Sequence, residues 1–382
     1  LLPVAARAAE PVQFAEGAHG KGELKHIDGV PVLFLRGTPE EIGAQQGKLL
    51  SEPLEPILAF PRKFIDASGS QFAWPVCVLM SRTLMKHAPE DHRTELDAAI
   101  AASGKDQNTL YVANTLLELR RVGGCSTLVV EPQRSKTGAL IFGRLFDFPT
   151  LGVLQHYSLV SVVQPEGKHA FMAIGFPGLN GVVSGMKEHG LAVATLDVFS
   201  SADESARFDV TGTPLAYTFR RILEECRTVA EAEALLRDSK RTRYMNLTVV
   251  DTETSAVFEL TPETVAVRRS EDGLLSCTNH FRSEELCTGK NCRRFAALEQ
   301  GRELKTLGVR DVASLLHEAN QGPMTIQAMV FEPEAKILHL ALGDGPVTAN
   351  RFVRLSLADL LRADFSPQRR RDAEKGFEES QN

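Results

Sequence analysis

The stretch Gly123-Gly124-Cys125-Ser126-Thr127 divides the chain into two parts with different sequence patterns. Before it, from about residue 70 to 120, apolar residues recur at the spacing of an amphipathic helix. After it, short runs of β-branched and other apolar residues alternate with turn residues, as is typical of β-strands. The sequence therefore predicts a helical part that ends close to position 125 and a β-rich part that begins there.

The β-rich part contains three blocks of predicted strands that are separated by helices. The predicted strands are residues 127–130, 139–142, 156–164, 170–174, 191–196, 246–251, 256–260, 265–269, 273–278, 326–332 and 336–342. The predicted helices are residues 213–226, 228–237, 293–300 and 312–320. Blocks of strands and helices, in place of alternating strand–helix units, predict two antiparallel sheets covered by helices.

The N-terminal part begins with a predicted hairpin followed by a helix. Residues 24–27 and 30–35 flank Asp28-Gly29, a dipeptide typical of two-residue hairpin turns. Thr38 precedes a proline and is followed three residues later by Glu41, which together form a capping box. The sequence therefore predicts that a helix begins directly after Thr38.

Composition and charge exclude several classes of protein. The 382 residues are 43% hydrophobic and 24% charged, which is typical of a globular protein. The net charge is -6 with both signs interspersed, so we expect no nucleic-acid partner. No window approaches the roughly 18 apolar residues that a membrane-spanning helix needs. The short basic run at 369–371 is followed by glutamates and indicates a solvated tail.

The first ten residues resemble the end of a secretory signal, with Ala6-Arg7-Ala8 as a cleavage site. This pattern favours a periplasmic or secreted protein. A disordered alanine-rich leader on a cytoplasmic protein is the alternative.

Six cysteines are too few for a disulfide scaffold in a chain of this length. Cys287 and Cys292 could close a small disulfide loop in an exported protein, and this pairing stays open. Together with Cys277 and His280 they could nominally bind zinc, but the spacing matches no zinc template. We therefore predict no metal and no cofactor.

Cys125 follows two glycines, where the backbone can be approached closely. If the bond between Gly124 and Cys125 breaks, the cysteine gains an α-amine with a pKa of about 8, which suits a base at neutral pH. One residue would then supply both the nucleophile and the base. A free cysteine is also commonly a small buried apolar residue, so the pattern alone leaves both roles open.

A hairpin after Cys125 brings charged groups to the same end of the sheet. If its turn is centred between residues 134 and 135, Cys125 lies opposite Arg144 in the motif Phe142-Gly143-Arg144-Leu145-Phe146-Asp147-Phe148. Arg144 could lower the pKa of the thiol, and Asp147 could accept a hydrogen bond from the new ammonium. Positions 144 and 147 face opposite sides of a regular strand, so we expect a bulge or the strand's end nearby. A surface ion pair is the alternative for these two residues.

Three motifs together carry a family resemblance: Gly124-Cys125-Ser126-Thr127, residues 142–148, and Thr278-Asn279-His280-Phe281. They resemble the acyl-coenzyme A:6-aminopenicillanic acid acyltransferase family of self-processing peptidases, which is related to bile-salt hydrolases and acid ceramidase. Residues 35–43, 246–260 and 291–295 also resemble that family, so the resemblance covers most of residues 23–355.

The resemblance implies an α+β fold, the four-layer αββα sandwich of N-terminal-nucleophile (Ntn) hydrolases. It implies a leader at 1–22, an α chain at 23–124, a catalytic β chain at 125–365 and a polar tail at 366–382. Self-cleavage would separate the α and β chains, and the two would stay associated because the α part buries apolar faces on the β part.

The resemblance also implies the site residues. Cys125 would be the nucleophile, with Arg144 and Asp147 beside it. Asn279 would donate to the oxyanion, and Arg294 would lie near the nucleophile, with its neighbour Arg293 as a rival. Lys187 departs from the pattern, because it stands where bile-salt hydrolases carry an oxyanion-region asparagine. Backbone amides near residues 180–181 could substitute for that asparagine.

The expected activity is hydrolysis of a small-molecule acyl amide, or transfer of its acyl group, through a Cys125 thioester; an acyl thioester could also be the donor. Two alternatives remain. One is a papain-type cysteine hydrolase without self-cleavage, which would use a histidine such as His156, His189 or His280. The other is a noncatalytic binding protein with the same fold.

Overall fold

The computed structural model describes residues 14–67, 73–119 and 123–362. Its strands are β1 Gly17–His19, β2 Gly22–Ile27, β3 Val30–Gly37, β4 Gly124–Val130, β5 Ile141–Asp147, β6 Leu159–Pro165, β7 Phe171–Gly175, β8 Ser184–Lys187, β9 Ala192–Asp197, β10 Met245–Val250, β11 Ser255–Leu260, β12 Val265–Arg268, β13 Leu274–Cys277, β14 Thr325–Glu332, β15 Ile337–Leu342 and β16 Val353–Ser356. Its helices are α1 Pro39–Leu49, α2 Ser51–Ile57, α3 Ala59–Ala67, α4 Ala73–Met85, α5 Glu90–Ser103, α6 Gln107–Asn114, α7 Leu116–Leu119, α8 Leu215–Glu225, α9 Val229–Asp238, α10 Arg293–Glu299, α11 Val309–Glu318 and α12 Leu357–Arg362.

The strands form two sheets. The first has ten strands in the order β1-β2-β3-β6-β7-β8-β9-β10-β11-β12, and the second has six in the order β13-β4-β5-β14-β15-β16. All strand pairs are antiparallel except β3 and β6, which are parallel. Strand β4, which carries Cys125, is therefore an inner strand of the second sheet, between β13 and β5.

The sheets face each other between two helical layers. Thr127 on β4 and Thr248 on β10 share a hydrogen bond of 2.9 Å between their Oγ1 atoms across the interface. Helices α8 and α9 pack on strands of the first sheet, while α10 and α11 pack on strands of the second. This arrangement confirms the predicted four-layer αββα sandwich.

The part before Cys125 contributes more than helices to this fold. The predicted hairpin is confirmed as β2 and β3, with Asp28 and Gly29 at φ of 50° and 84° in its turn. The capping box is confirmed as well, because Thr38 Oγ1 accepts from Glu41 N at 3.3 Å and Thr38 N donates to the Glu41 carboxylate at 2.9 Å. Strand β3 then joins the first sheet directly beside β6.

The termini are only partly described. Residues 1–13 of the predicted leader and the whole predicted tail at 366–382 lie outside the described residues. Gly17–His19 already forms a strand that pairs with β2, although it falls within the predicted leader at 1–22. Among the described residues, no helix has both the length and the apolar character that crossing a bilayer requires.

Candidate active site

The register between β4 and β5 differs from the predicted one. Cys125 pairs with Phe146, and Thr127 is the residue opposite Arg144, so the prediction that Cys125 lies opposite Arg144 is wrong. The connection contains a short 3-10 helix at Pro132–Arg134, which moves the centre of the turn one residue along the chain. Because the shift changes the pairing by two residues, Arg144 keeps the face that it shares with Cys125.

Strand β5 ends at Asp147, which is one of the two features expected near this residue, and a register irregularity lies in the neighbouring strand. The register between β5 and β14 shifts between Thr325 and Gln327, opposite Asp147 and Phe146. Beside this shift the Asp147 carboxylate accepts from Thr325 Oγ1 at 2.5 Å and from Gln321 Nε2 at 2.8 Å. These two groups hold the carboxylate, while the amide of Cys125 has a different acceptor.

That acceptor is Asn279, at the end of the strand beside β4. The backbone N–H of Cys125 donates to Asn279 Oδ1 at 2.8 Å. Arg294 Nη2 donates to the same oxygen at 2.7 Å. Arg294 Nη1 donates to the carbonyl oxygen of Cys125 and, at 3.1 Å, to Ser126 Oγ. Two residues distant in sequence thus hold both backbone polar groups of Cys125.

The rival arginine points elsewhere. Arg293 donates to the carbonyl oxygens of Glu318 and Asn320, at 3.1 and 3.0 Å, beside the end of α11. Arg294 also approaches the Asp147 carboxylate to 3.9 Å. The structure therefore brings Arg294, and not Arg293, to Cys125.

The Cys125 thiol lies in a buried, charged environment. The residue is 4% exposed, and burial raises the pKa of its thiol, an effect that the nearby charge of Arg144 opposes without cancelling. Arg144 is fully buried, and its Nε donates to Ser184 Oγ at 3.2 Å. Its Nη1 and Nη2 have no hydrogen-bond partner among the described residues. The intact chain therefore holds a protonated thiol beside a guanidinium with unused donors.

The structure adds two residues that the sequence analysis missed. Asp197 Oδ2 accepts from the N–H of Gly123 at 3.3 Å, and the Asp197 carbonyl accepts from Asn279 Nδ2 at 2.8 Å. Arg243 Nη2 lies 3.1 Å from Asp197 Oδ1. The available signal was an aspartate directly after the predicted strand 191–196, at a sheet end where functional residues often collect.

Of the two backbone amides suggested in place of the oxyanion-region asparagine, that of Asn180 is already engaged. The Asn180 N–H donates to Asn114 Oδ1 at 2.9 Å. Lys187 is fully buried, and its ammonium donates to the Cys226 carbonyl. Burial lowers the pKa of Lys187 to about 8.

The histidines of the papain-type alternative contact other groups. His156 lies 3.9 Å from Asp344, and His189 lies 3.7 Å from Glu188. His280 contacts Cys292: burial opposes ionisation of that thiol, but hydrogen bonding to His280 and smaller contributions lower its pKa to about 6. Cys287 and Cys292 are free thiols in the structure, so the proposed disulfide is not formed there.

An apolar pocket lies beside β5, the strand that pairs with the strand of Cys125. Its cavity volume is about 90 Å³, and it is partly open to solvent. Phe146, the residue paired with Cys125, lines it together with Phe148 and Phe176. The helices before Cys125 supply the other side through Ile57 and Phe60, among others. Both parts of the chain thus build one pocket.

A protein-family model matches the part of the chain that contains most of these site residues. The family model described as acyl-coenzyme A:6-aminopenicillanic acid acyl-transferase matches residues 134–321. The chain resembles this family. The matched segment is just under half of the chain and contains Arg144, Asp147, Asn279 and Arg294, whereas Cys125 lies nine residues before it. No curated protein matches the chain.

Several solved structures are similar to the chain. An N-acylethanolamine-hydrolysing acid amidase orthologue from Caenorhabditis elegans is 18% identical, with a TM-score of 0.43 over 55% of this chain and 93% of the other. A conjugated bile acid hydrolase from Clostridium perfringens is 15% identical, with a TM-score of 0.46 over 62% and 93%. A penicillin V acylase from Agrobacterium tumefaciens is 15% identical, with a TM-score of 0.42 over 57% and 83%.

Proposed function

We propose that this protein is a self-processing Ntn amidase or acyltransferase that cleaves the bond between Gly124 and Cys125. The observation that carries the proposal is the network around that bond. Asp197 holds the N–H of Gly123, Asn279 holds the N–H of Cys125, and Arg294 holds the carbonyl of Cys125. Buried polar groups that hold the backbone on both sides of one peptide bond are what a reaction at that bond requires.

The cleavage needs no external group except water. The Cys125 thiol attacks the carbonyl carbon of Gly124, the C–N bond breaks, and the thiol proton passes to the departing amine. The product is a thioester between Gly124 and the Cys125 sulfur. Water then hydrolyses the thioester and leaves a carboxylate on Gly124 and a free α-amine on Cys125. That amine, with a pKa of about 8, lies on the same residue as the thiol.

The same groups support turnover of an amide. The α-amine takes the thiol proton, and the thiolate attacks the substrate carbonyl to form an oxyanion. Asn279 Nδ2 lies 3.4 Å from the Gly123 carbonyl in the uncleaved chain, so departure of that segment frees donor capacity for the oxyanion. The unused Nη groups of Arg144 are further donors. Water resolves the acyl thioester in hydrolysis, and an amine resolves it in acyl transfer.

The pocket favours an apolar acyl group. Its lining near Cys125 consists mainly of phenylalanine side chains and aliphatic residues, with Asn114 as a polar exception. Burying an apolar acyl chain there gains roughly 25 cal/mol per Å² removed from water. We therefore propose an aromatic or aliphatic acyl amide, or the corresponding acyl thioester, as the substrate.

The proposed products are an α chain at 23–124 and a β chain at 125–365. Their association is supported by the parallel pairing of β3 with β6, which joins the two parts in one sheet. The Ala6-Arg7-Ala8 pattern supports export before or during maturation.

Intact mass spectrometry of the purified wild-type protein tests the proposal. We expect two polypeptides whose masses correspond to a break between Gly124 and Cys125, and release of acid or acyl transfer when an aryl-acyl amide is added. The papain-type alternative would be favoured by an unbroken wild-type chain that hydrolyses the amide, together with a Cys292→Ala variant that does not. Cys292 is the cysteine to test because His280 contacts it. An unbroken and inactive chain would favour the noncatalytic alternative.

The neighbouring residues Arg294 and Arg293 allow the role of Arg294 to be tested against a matched control. We expect Arg294→Ala to lower kcat/KM for an acyl amide by roughly 100-fold, because the variant loses charge-assisted contacts to Cys125 and Asn279. Arg293→Ala should stay within about three-fold of wild type, because Arg293 contacts only helix-end carbonyls among its described hydrogen bonds. Steady-state kinetics on both variants checks this; equal losses would contradict the assignment of Arg294.

A further inference from the structure

Three metal-ligating side chains meet at one corner of the first sheet. His169 lies just before β7, and Glu188 and His189 lie just after β8. Strands β7 and β8 pair antiparallel, so the start of one meets the end of the other. The ligand atoms of the three residues all lie within 4.8 Å of one another. We propose that His169, Glu188 and His189 bind a divalent transition-metal ion of the zinc class.

The distances between ligand atoms fit such an ion. His169 Nδ1 lies 3.2 Å and His189 Nδ1 lies 3.7 Å from Glu188 Oε1. In a tetrahedral site with metal–ligand bonds of about 2.0–2.1 Å, ligand atoms are separated by roughly 3.3–3.4 Å. The two measured separations lie on either side of this value. The ligand atoms of the two histidines lie within 4.8 Å of each other, so rotation of the side chains would complete the geometry.

The carboxylate and the imidazoles are already oriented toward each other. Glu188 Oε1 accepts from the Ala170 N–H at 3.2 Å, and the Glu188 N–H donates to the Ala170 carbonyl at 2.9 Å. The two imidazole rings stand edge to face, with centroids 4.8 Å apart. A backbone donor that orients a ligating carboxylate is the kind of outer contact that tunes metal sites.

The open side of the triad faces solvent. His169 and Glu188 are half-buried, whereas His189 is exposed. A water molecule can therefore complete the coordination, and an ion can enter without moving the core. Lys187 does not compete for the carboxylate, because its buried ammonium donates to the Cys226 carbonyl.

A second histidine–carboxylate cluster shows why this one is suited to a metal. Asp91, His92 and Glu224 also lie within ligand distance of one another. There, Lys168 Nζ lies 2.6 Å and Arg220 Nε lies 2.7 Å from the Glu224 carboxylate. These two cations already neutralise the negative charge of the carboxylate that would otherwise attract a metal ion. We therefore assign no metal to that cluster.

The proposed site is separate from the Cys125 chemistry. The proposed site follows Lys187, at one end of β8. Ser184, which accepts a hydrogen bond from Arg144, lies at the other end of the same strand. All three ligands belong to the part after Cys125, so metal binding should be the same before and after self-cleavage. Because the ion ties the end of β8 to the start of β7, it should stabilise the folded protein.

Titration of the full chain with Co²⁺, a spectroscopic substitute for Zn²⁺, tests the site. We expect one ion per chain, with visible d–d absorption and without a thiolate charge-transfer band. His189→Ala and Glu188→Gln should each weaken Co²⁺ binding by at least about ten-fold. His339→Ala is the matched control, because His339 contacts Glu332 at 2.7 Å as part of a pair and not of a triad. It should bind as wild type does.

A second measurement guards against a general loss of folding. Zn²⁺ should raise the Tm of the wild type and of His339→Ala, but not the Tm of His189→Ala, and the three proteins should share one far-UV circular dichroism spectrum without metal. The proposal is overturned if His189→Ala and Glu188→Gln bind Co²⁺ as tightly as wild type. It is also overturned if the bound ion shows thiolate absorption that disappears in Cys292→Ala.

Discussion

A Cys125→Ala variant is expected to stay a single unbroken chain and to show no amidase or acyl-transfer activity. The substitution removes the only atom that can form the thioester in both the cleavage and the turnover step. It changes little else, because the residue lies in the core with 4% exposure and alanine fits the same strand position. Intact mass spectrometry and product release from an acyl amide measure the two losses separately.

Two controls sharpen this result. Cys77→Ala removes another buried cysteine, from α4, and should leave both cleavage and activity as in wild type. Cys125→Ser keeps a nucleophilic oxygen at the same position, so it should cleave slowly or incompletely. If Cys125→Ala breaks at the same bond as wild type, self-cleavage by this residue is ruled out, whatever the activity of the protein.

Arg220→Ala is expected to lower the free energy of unfolding by about 3–5 kcal/mol, because it breaks a buried ion-pair network. Arg220 donates to both oxygens of Glu95 at 2.6 Å, to Glu224 at 2.7 Å and to the Asn180 carbonyl at 2.9 Å. The variant would leave two buried carboxylates without this partner. Urea unfolding followed by circular dichroism at pH 7 measures the change.

The neighbouring residue is the matched control. Arg221 pairs with Glu225 on the half-exposed side of the same helix, and Arg221→Ala should cost only about 0.3–0.5 kcal/mol. Glu95 lies before the proposed cleavage site and Arg220 after it. Arg220→Ala should therefore also weaken the association of the cleaved chains, which size-exclusion chromatography detects. Similar stability of the two variants would contradict a structural role for the network.

The network also has an expected pH dependence. Burial alone would raise the pKa of Glu224, but the charge of Arg220 and hydrogen bonding to His92 hold it well below its ordinary value. A carboxyl with a lowered pKa contributes stability that is fully present above its unfolded pKa of about 4.3 and is lost as the pH falls toward the folded value. The contribution of Glu224 to the stability of the wild type should therefore persist at mildly acidic pH, which urea unfolding at pH 7 and at mildly acidic pH measures.

The sequence by itself determined the local features of this protein. The dipeptide Asp28-Gly29 predicts the hairpin turn because aspartate and glycine tolerate positive φ. Thr38 predicts the start of helix α1 because its side chain accepts a hydrogen bond from a backbone N–H in the first turn of that helix. The change of pattern at Cys125 and the motifs around Arg144 and Asn279 indicated the family resemblance. These signals depend on neighbouring residues or short motifs, so they can be read directly from the chain.

The tertiary structure decided what depends on distant residues. Strand β8 was not predicted, since its Ser-Gly-Met-Lys sequence has no clear strand pattern and pairs only because β7 and β9 lie on either side. The register of Cys125, the choice of Arg294 over Arg293 and the roles of Asp197 and Arg243 depend on segments brought together from far along the chain. Such contacts arise from sheet packing and buried charge, which no local pattern encodes.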